Sequence, residues 1–281
     1  MAIVTLRELL DAGVHYGHRT SRRNPKMDRY IFGKRNAIHI LDLRETIRGL
    51  IKATRFLFRI AEEGRPVLLV GTKRQAASVV QECAERAKIP YVSHRWLGGT
   101  LTNFRTIRSR LGRLEELEAL EESGEINNYS KKMIASLQRE KRKIKENLEG
   151  IRSMNRLPGA LIVIDPRREK IAVYEAYKLG IPIVSLIDTD SDPALVDIAI
   201  PGNDDAIRSI QLVTDKLTDA YVAGRSSYMG GADAKPDPGA ARAAAQPAAE
   251  PKPAPEAQPP VEAAAEAPEA KESDETAGTK E

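Results

Sequence analysis

The sequence predicts an α/β protein: a mainly parallel sheet flanked by helices, with an inserted antiparallel coiled-coil helical hairpin and a disordered C-terminal tail. Three observations predict it. Short continuous apolar runs at 66–70, 160–164 and 183–187 alternate with amphipathic helical stretches, the pattern of strands covered on both faces. Between the first two runs, residues 102–155 carry only helical spacing. From Met229 to Glu281 the only large apolar side chains are Met229 and Val261, among mostly alanine, proline and glutamate, and such a stretch cannot bury a core. The expected organisation is therefore a body of residues 1–101 and 156–228, a hairpin at 102–155 and an acidic Ala/Pro/Glu-rich tail at 229–281.

Each element follows from local chemistry. Thr5 is placed to cap a short helix with apolar Leu6, Leu9 and Leu10 that stops at Gly13, and residues 14–35 read as an irregular, basic, glycine-interrupted segment. Residues 37–41 read as a strand. Asp42 then caps a long helix with apolar positions Ile47, Leu50, Ile51, Leu57 and Ile60, and Gly64 ends it. After the strand at 66–70 comes a helical stretch at 75–88 that holds Cys83. In the hairpin, Ile107, Leu111, Leu114 and Leu117 mark one arm, and Met133, Leu137, Ile144, Leu148 and Ile151 mark the other in four-three steps. At 1.5 Å per residue each arm spans roughly 30 Å. A helix at 170–179 ended by Gly180, the strand at 183–187, and a helix capped by Asn203 and running to about residue 223 complete the chain.

Charge divides the same way. The tail has 5 Lys/Arg against 11 Asp/Glu, and residues 1–228 have 39 against 29, so the body carries +10 beneath an overall +4. Residues 1–59 hold 13 basic and 5 acidic side chains, and 95–114 hold five arginines and no acid, which points to a polyanionic partner. No apolar run approaches the roughly 20 residues of a membrane-spanning helix, and residues 1–10 lack the features of a signal peptide, so a soluble intracellular protein is expected. Cys83, the single cysteine, allows no disulfide framework and no thiolate zinc site, and reads as a small buried residue.

Several groups could carry chemistry. Lys73 and Arg74 follow a strand and a single glycine, where an α/β sheet can hold a phosphate, but the glycine spacing of a P-loop is missing; the alternative is contact with a nucleic-acid backbone. Asp165, Asp188, Asp190, Asp192, Asp204 and Asp205 gather at strand ends. They are candidate metal ligands, with Asp188, Asp205 and His18 the best placed, and equally good turn and cap residues. No nucleophile elbow, His-Glu-x-x-His or Gly-x-Gly-x-x-Gly is present, so no enzyme is expected. His39, inside an apolar strand, reads as a satisfied structural histidine. In the segment 94–105, Trp96 packs into the core while Gly98-Gly99 turns the chain into the arm, or Arg95, Asn103 and Arg105 meet phosphates with an aromatic near bases.

These residues carry a resemblance. Leu-Leu-Asp-Ala-Gly-Val-His-Tyr-Gly-His at 9–18, Asn-Pro-Lys-Met at 24–27, Ile-Phe-Gly-Lys-Arg-Asn at 31–36 and the run at 94–104 stand in order. They are followed by Leu-Pro-Gly-Ala at 157–160, Asp-Pro at 165–166, Gly-Ile-Pro at 180–182 and Pro-Gly-Asn-Asp-Asp-Ala-Ile-Arg-Ser at 201–209. The set resembles the bacterial form of small-subunit ribosomal protein two, the universal S-two family, over residues 1 to about 227; the tail lies outside it. The resemblance implies a non-catalytic constituent of the small ribosomal subunit in the cytoplasm, with no cofactor. Its implied partners are small-subunit rRNA, other small-subunit proteins and, in many bacteria, ribosomal protein one, which captures mRNA. Carried onto matching motifs, the implied rRNA contacts are Arg19, Lys26, Lys34, Arg35, Lys73, Arg74, Arg95, Asn103 and Arg105. Arg22, Arg23, Arg29 and, on the arm, Arg108 are added on charge alone.

Overall fold

The computed structural model describes residues 4–230. Its centre is a five-stranded parallel sheet in the order β5-β4-β6-β7-β8, built from β4 (Val67–Val70), β5 (Tyr91–Val92), β6 (Ala160–Ile164), β7 (Ile183–Ile187) and β8 (Ile198–Pro201). Every residue of β4, β6 and β7 is buried, as continuous apolar runs require. Alternate residues serve opposite faces. Val67, Leu69, Ile162, Ile164, Val184 and Leu186 meet α2 (Leu43–Glu62), α3 (Arg74–Ala87) and α7 (Ile207–Gly230). Leu68, Val70, Leu161, Val163 and Ile183 meet α6 (Lys170–Lys178), Trp96 and the root of the hairpin.

The hairpin, α4 (Phe104–Glu122) and α5 (Lys131–Leu148), leaves the body between β5 and β6. Ile107, Leu111 and Leu148, with Ile151 just beyond, are part of the sheet core, whereas Leu114, Leu117 and Leu137 are buried further along the arm. Met133, expected in the apolar seam, is 47% exposed.

Caps are where the sequence places them. Thr5 and Glu8 form a capping box on α1 (Leu6–Asp11), and Asp42 accepts from the Arg44 N–H at the start of α2. Gly64, at φ +67°, follows the end of α2. Asn203 departs from expectation. Its side chain accepts from the Asp205 and Ala206 N–H groups, ordering the turn before α7, and α7 continues to Gly230 rather than stopping near 223. The expected tail lies outside the described residues, apart from residues 229–230, which complete α7.

Residues 14–35 correct the irregular reading. β1 (Tyr16–Arg19), β2 (Ile31–Arg35) and β3 (Ile38–Leu41) form a separate antiparallel sheet in the order β1-β3-β2. Register irregularities in both pairings and glycines at 17 and 33 interrupt the alternation that would have marked the strands. β5 has two residues and β8 ends in proline, so neither gives a strand signal of its own. His39 is buried as expected but not satisfied, since neither ring nitrogen has a hydrogen-bond partner. Among the described residues no helix is long and apolar enough to cross a membrane.

Candidate nucleic-acid interface

All five parallel strands end on one edge, so the segments that follow them share it: 71–74 after β4, 93–103 after β5, 165–169 after β6, 188–192 after β7 and 202–206 after β8. Strand order spreads them out, with 93–103 at one end and 202–206 at the other. The antiparallel sheet docks on the second end. The Asn24 N–H donates to the Thr189 carbonyl at 2.8 Å, the His18 N–H to Thr189 Oγ1 at 3.0 Å, and the Asn203 N–H to the Val14 carbonyl at 3.0 Å. Gly17 permits this approach, because a Cβ there would lie 2.6 Å from the Thr189 methyl.

The carboxyl edge thus gathers most of the basic residues expected to bind. Arg19, Arg22, Lys34, Arg35, Arg74, Arg95 and Arg105 are exposed, with no carboxylate within 4 Å among the described residues. Arg23 pairs with Asp28 at 3.0 Å, Lys26 with Asp192 at 2.7 Å, and Arg29 stacks over Tyr30 at 4.5 Å, so these three are partly engaged already. Asn103 is exposed and accepts from Thr106 Oγ1, and Arg108 reaches back toward the Arg152 and Met154 carbonyls at the hairpin root. Arg167 and Arg168 also stand on this edge, after β6; the Asp-Pro turn they follow drew attention away from them. Arg167 pairs with Asp190 at 2.5 Å, and Arg168 is exposed.

Lys73 is the clear correction. Its side chain is buried and its ammonium lies 2.7 Å from Asp204, 2.6 Å from Asp205 and 3.7 Å from Asp165, so it faces carboxylates rather than a phosphate. Burial disfavours its charge, but Asp204 and its neighbours outweigh that and push the pKa upward. Beside it the His18 ring donates through Nδ1 to Asp188 (2.8 Å), and its Nε2 lies 3.3 Å from Asp205 and 3.9 Å from Asp190. The Asp188 hydrogen bond, working against burial, raises His18 to about 9, which makes it an imidazolium at neutral pH. Burial and then the Asp165 and Asp188 charges push the Asp204 carboxyl up, and its Oδ2 is buried with no hydrogen-bond partner. The set whose donor atoms fall within 4.8 Å of one another is His18, Asp188 and Asp204, so Asp204 stands where Asp205 was expected.

The joint at 96–102 is ordered by a residue that sequence reasoning missed. Glu175 of α6 is buried and accepts from Trp96 Nε1 and the Gly99 N–H through Oε1, and from the Leu101 and Thr102 N–H groups and Thr102 Oγ1 through Oε2. Its signal in the sequence is faint: an acid beside Ala172, Val173 and Ala176 on an otherwise apolar helix face.

A sequence model of one family, ribosomal protein S2, matches residues 9–224. The chain belongs to that family. It is similar to "Small ribosomal subunit protein uS2" of Rhodopirellula baltica, 59% identical over 225 residues, which is 80% of this chain and 86% of the relative. The protein of the same name from Syntrophobacter fumaroxidans is 52% identical over 225 residues, covering 80% and 82%. Family membership makes the chain a structural constituent of the small ribosomal subunit rather than an enzyme, and its place is the ribosome.

Proposed function

We propose that the chain is held on small-subunit rRNA by the carboxyl edge of its parallel sheet and the antiparallel sheet docked there. The observation that carries this reading is the convergence of exposed cations with no carboxylate within 4 Å among the described residues, Arg19, Arg22, Lys34, Arg35, Arg74, Arg95 and Arg105, from distant parts of the sequence onto one edge. Affinity then comes chiefly from phosphate neutralisation and counterion release, with RNA shape guiding the fit. The test is replacement of Lys34, Arg35, Arg95 and Arg105 by Gln. Four lost phosphate contacts should flatten the slope of log affinity against log salt by about 3 to 4, at roughly 0.7–0.9 per contact. An unchanged slope refutes the reading.

Phe32, 78% exposed on β2, and Tyr16, 52% exposed on β1, add apolar surface that phosphates do not use. This surface suits a protein partner, and ribosomal protein one is the partner that the family resemblance offers. Phe32→Ala should abolish its retention on small subunits while leaving rRNA affinity unchanged; retention at the normal level rules the surface out.

The buried, unpartnered Asp204 Oδ2 favours a second role for the acid cluster: His18, Asp188 and Asp204 hold a divalent cation that displaces the His18 proton on binding, and their one-nitrogen, two-oxygen donor set suits Zn²⁺. Zn²⁺ added to metal-stripped chain should raise its melting temperature, and His18→Gln with Asp204→Asn should remove the rise. No rise in the unaltered chain excludes the site.

A further inference from the structure

The amino edge of the parallel sheet, opposite the basic carboxyl edge, carries a second cationic feature. A cavity of about 500 Å³ opens there where α2, α3 and α7 end and the hairpin returns to β6. Lys88, Arg156, Arg225, Tyr221 and Tyr228 line it, and among the described residues no carboxylate does. Lys88 ends α3 in the left-handed conformation, φ 53°. The Arg225 guanidinium donates to the Lys88 carbonyl at 3.4 Å, and that of Arg156 to the Gly64 carbonyl at 2.6 Å. The Tyr228 ring lies flush on Gly64, where a Cβ would come within 2.8 Å of it, and Tyr221 donates its hydroxyl to the Arg65 carbonyl.

Capping a helix carbonyl explains part of this arrangement. It uses one of the five donors of Arg225 and leaves the exposed Lys88 ammonium unexplained. The Arg225 guanidinium, fixed on a main-chain carbonyl, with the Lys88 ammonium alongside and no carboxylate within 4 Å of either among the described residues, is a fork already oriented for a phosphate. We infer that this cavity takes a backbone phosphate of RNA, so that the chain grips two RNA segments, one at each edge of its sheet. The inference rests on the proposed rRNA binding of the carboxyl edge. A strand of five residues is roughly 17 Å long, so the two sites stand on opposite sides of the body rather than along one groove.

The experiment is hydroxyl-radical footprinting of small-subunit rRNA after full chain is added back to subunits that lack it. K88Q/R225Q should expose one protected segment and leave another covered, while R35Q/R95Q should expose the other. K88Q alone, an exposed site with no structural bond to lose, should weaken the first protection partially. In salt titrations the double variant should flatten the slope by about 0.7–0.9, the value for one lost phosphate. If K88Q/R225Q leaves every protection intact while R35Q/R95Q does not, the amino-edge site is wrong and the carboxyl-edge reading stands. If neither pair changes the footprint, both fail. If K88Q/R225Q removes a neighbouring protein from the subunit with the RNA still covered, the cavity binds protein and the inference is overturned.

Discussion

Replacing Glu175 by Gln changes one atom in a buried carboxylate that accepts five hydrogen bonds. Each carboxylate oxygen serves at least two donors, so whichever position the new NH₂ group takes, it faces N–H groups it cannot satisfy. A buried donor left without an acceptor costs about 1–3 kcal/mol, and two of them put the loss at about 3 kcal/mol or more. For a folded part of this size that lowers the melting temperature by roughly 10 °C. The same site sets a pH dependence. Burial raises the Glu175 pKa, but the N–H groups of Thr102, Gly99 and Leu101 and the Trp96 indole bind the ionised form and bring it below the ordinary glutamate value. A carboxyl with a depressed folded pKa contributes stability that is complete above its unfolded pKa, about 4.3, and is lost as pH falls through the folded value. The gap between the native chain and Glu175→Gln should therefore be widest near pH 7 and narrow below about pH 4. Thermal unfolding followed by emission of Trp96, the only tryptophan, reports both effects at the site itself. A variant that melts within about 3 °C of the native chain at pH 7, with unchanged emission, would refute the claim that this carboxylate orders the joint.

Three further outcomes are expected. Gly224→Ala places a methyl 2.4 Å from the Phe58 carbonyl, where α2 and α7 touch, so it should destabilise by about 1–3 kcal/mol in chemical denaturation, although alanine is the better helix former. Leu111→Ala empties a site that is 2% exposed in the sheet core at the hairpin root; it should cost about 2–5 kcal/mol, and a loss under 1 kcal/mol would mean the root is not packed as described. Cys83 is buried beside Asp215, and burial pushes its thiol up to about 12, so a thiol reagent at pH 8 should label it only on unfolding, in step with loss of Trp96 emission.

The sequence made legible what short-range rules control. Continuous apolar strands, the helices capped by Thr5 and Asp42, and the seam of the hairpin lie where periodicity and capping chemistry place them, because each is decided within about ten residues. Of the antiparallel sheet at 16–41 only the strand at 38–41 was legible; the other two are irregular in register and hold their places partly through Thr189, far along the chain. Lys73 shows the same limit within the site. In sequence it is one cation among many, and only the fold brings it against Asp204, 131 positions later. Glu175 and Arg168 were passed over because one is hidden on a helix face and the other behind a turn, and what each can touch is set by neighbours in space.

Sheet order also bears on how the chain is made. Strand β4 lies between β5 and β6, and β6, the central strand, begins some 90 residues after β4 ends. During synthesis the inner edge of β4 must wait for most of that length to emerge before it finds its neighbour. The intervening α4 and α5 need only each other to begin pairing. Once they do, the connection that must close shortens from the full interval to residues 71–103 before the hairpin and 149–159 after it, which lowers the entropic cost of joining the two strands. The arm that reaches away from the body is in this sense a guide for assembly, bringing the second half of the sheet to the first.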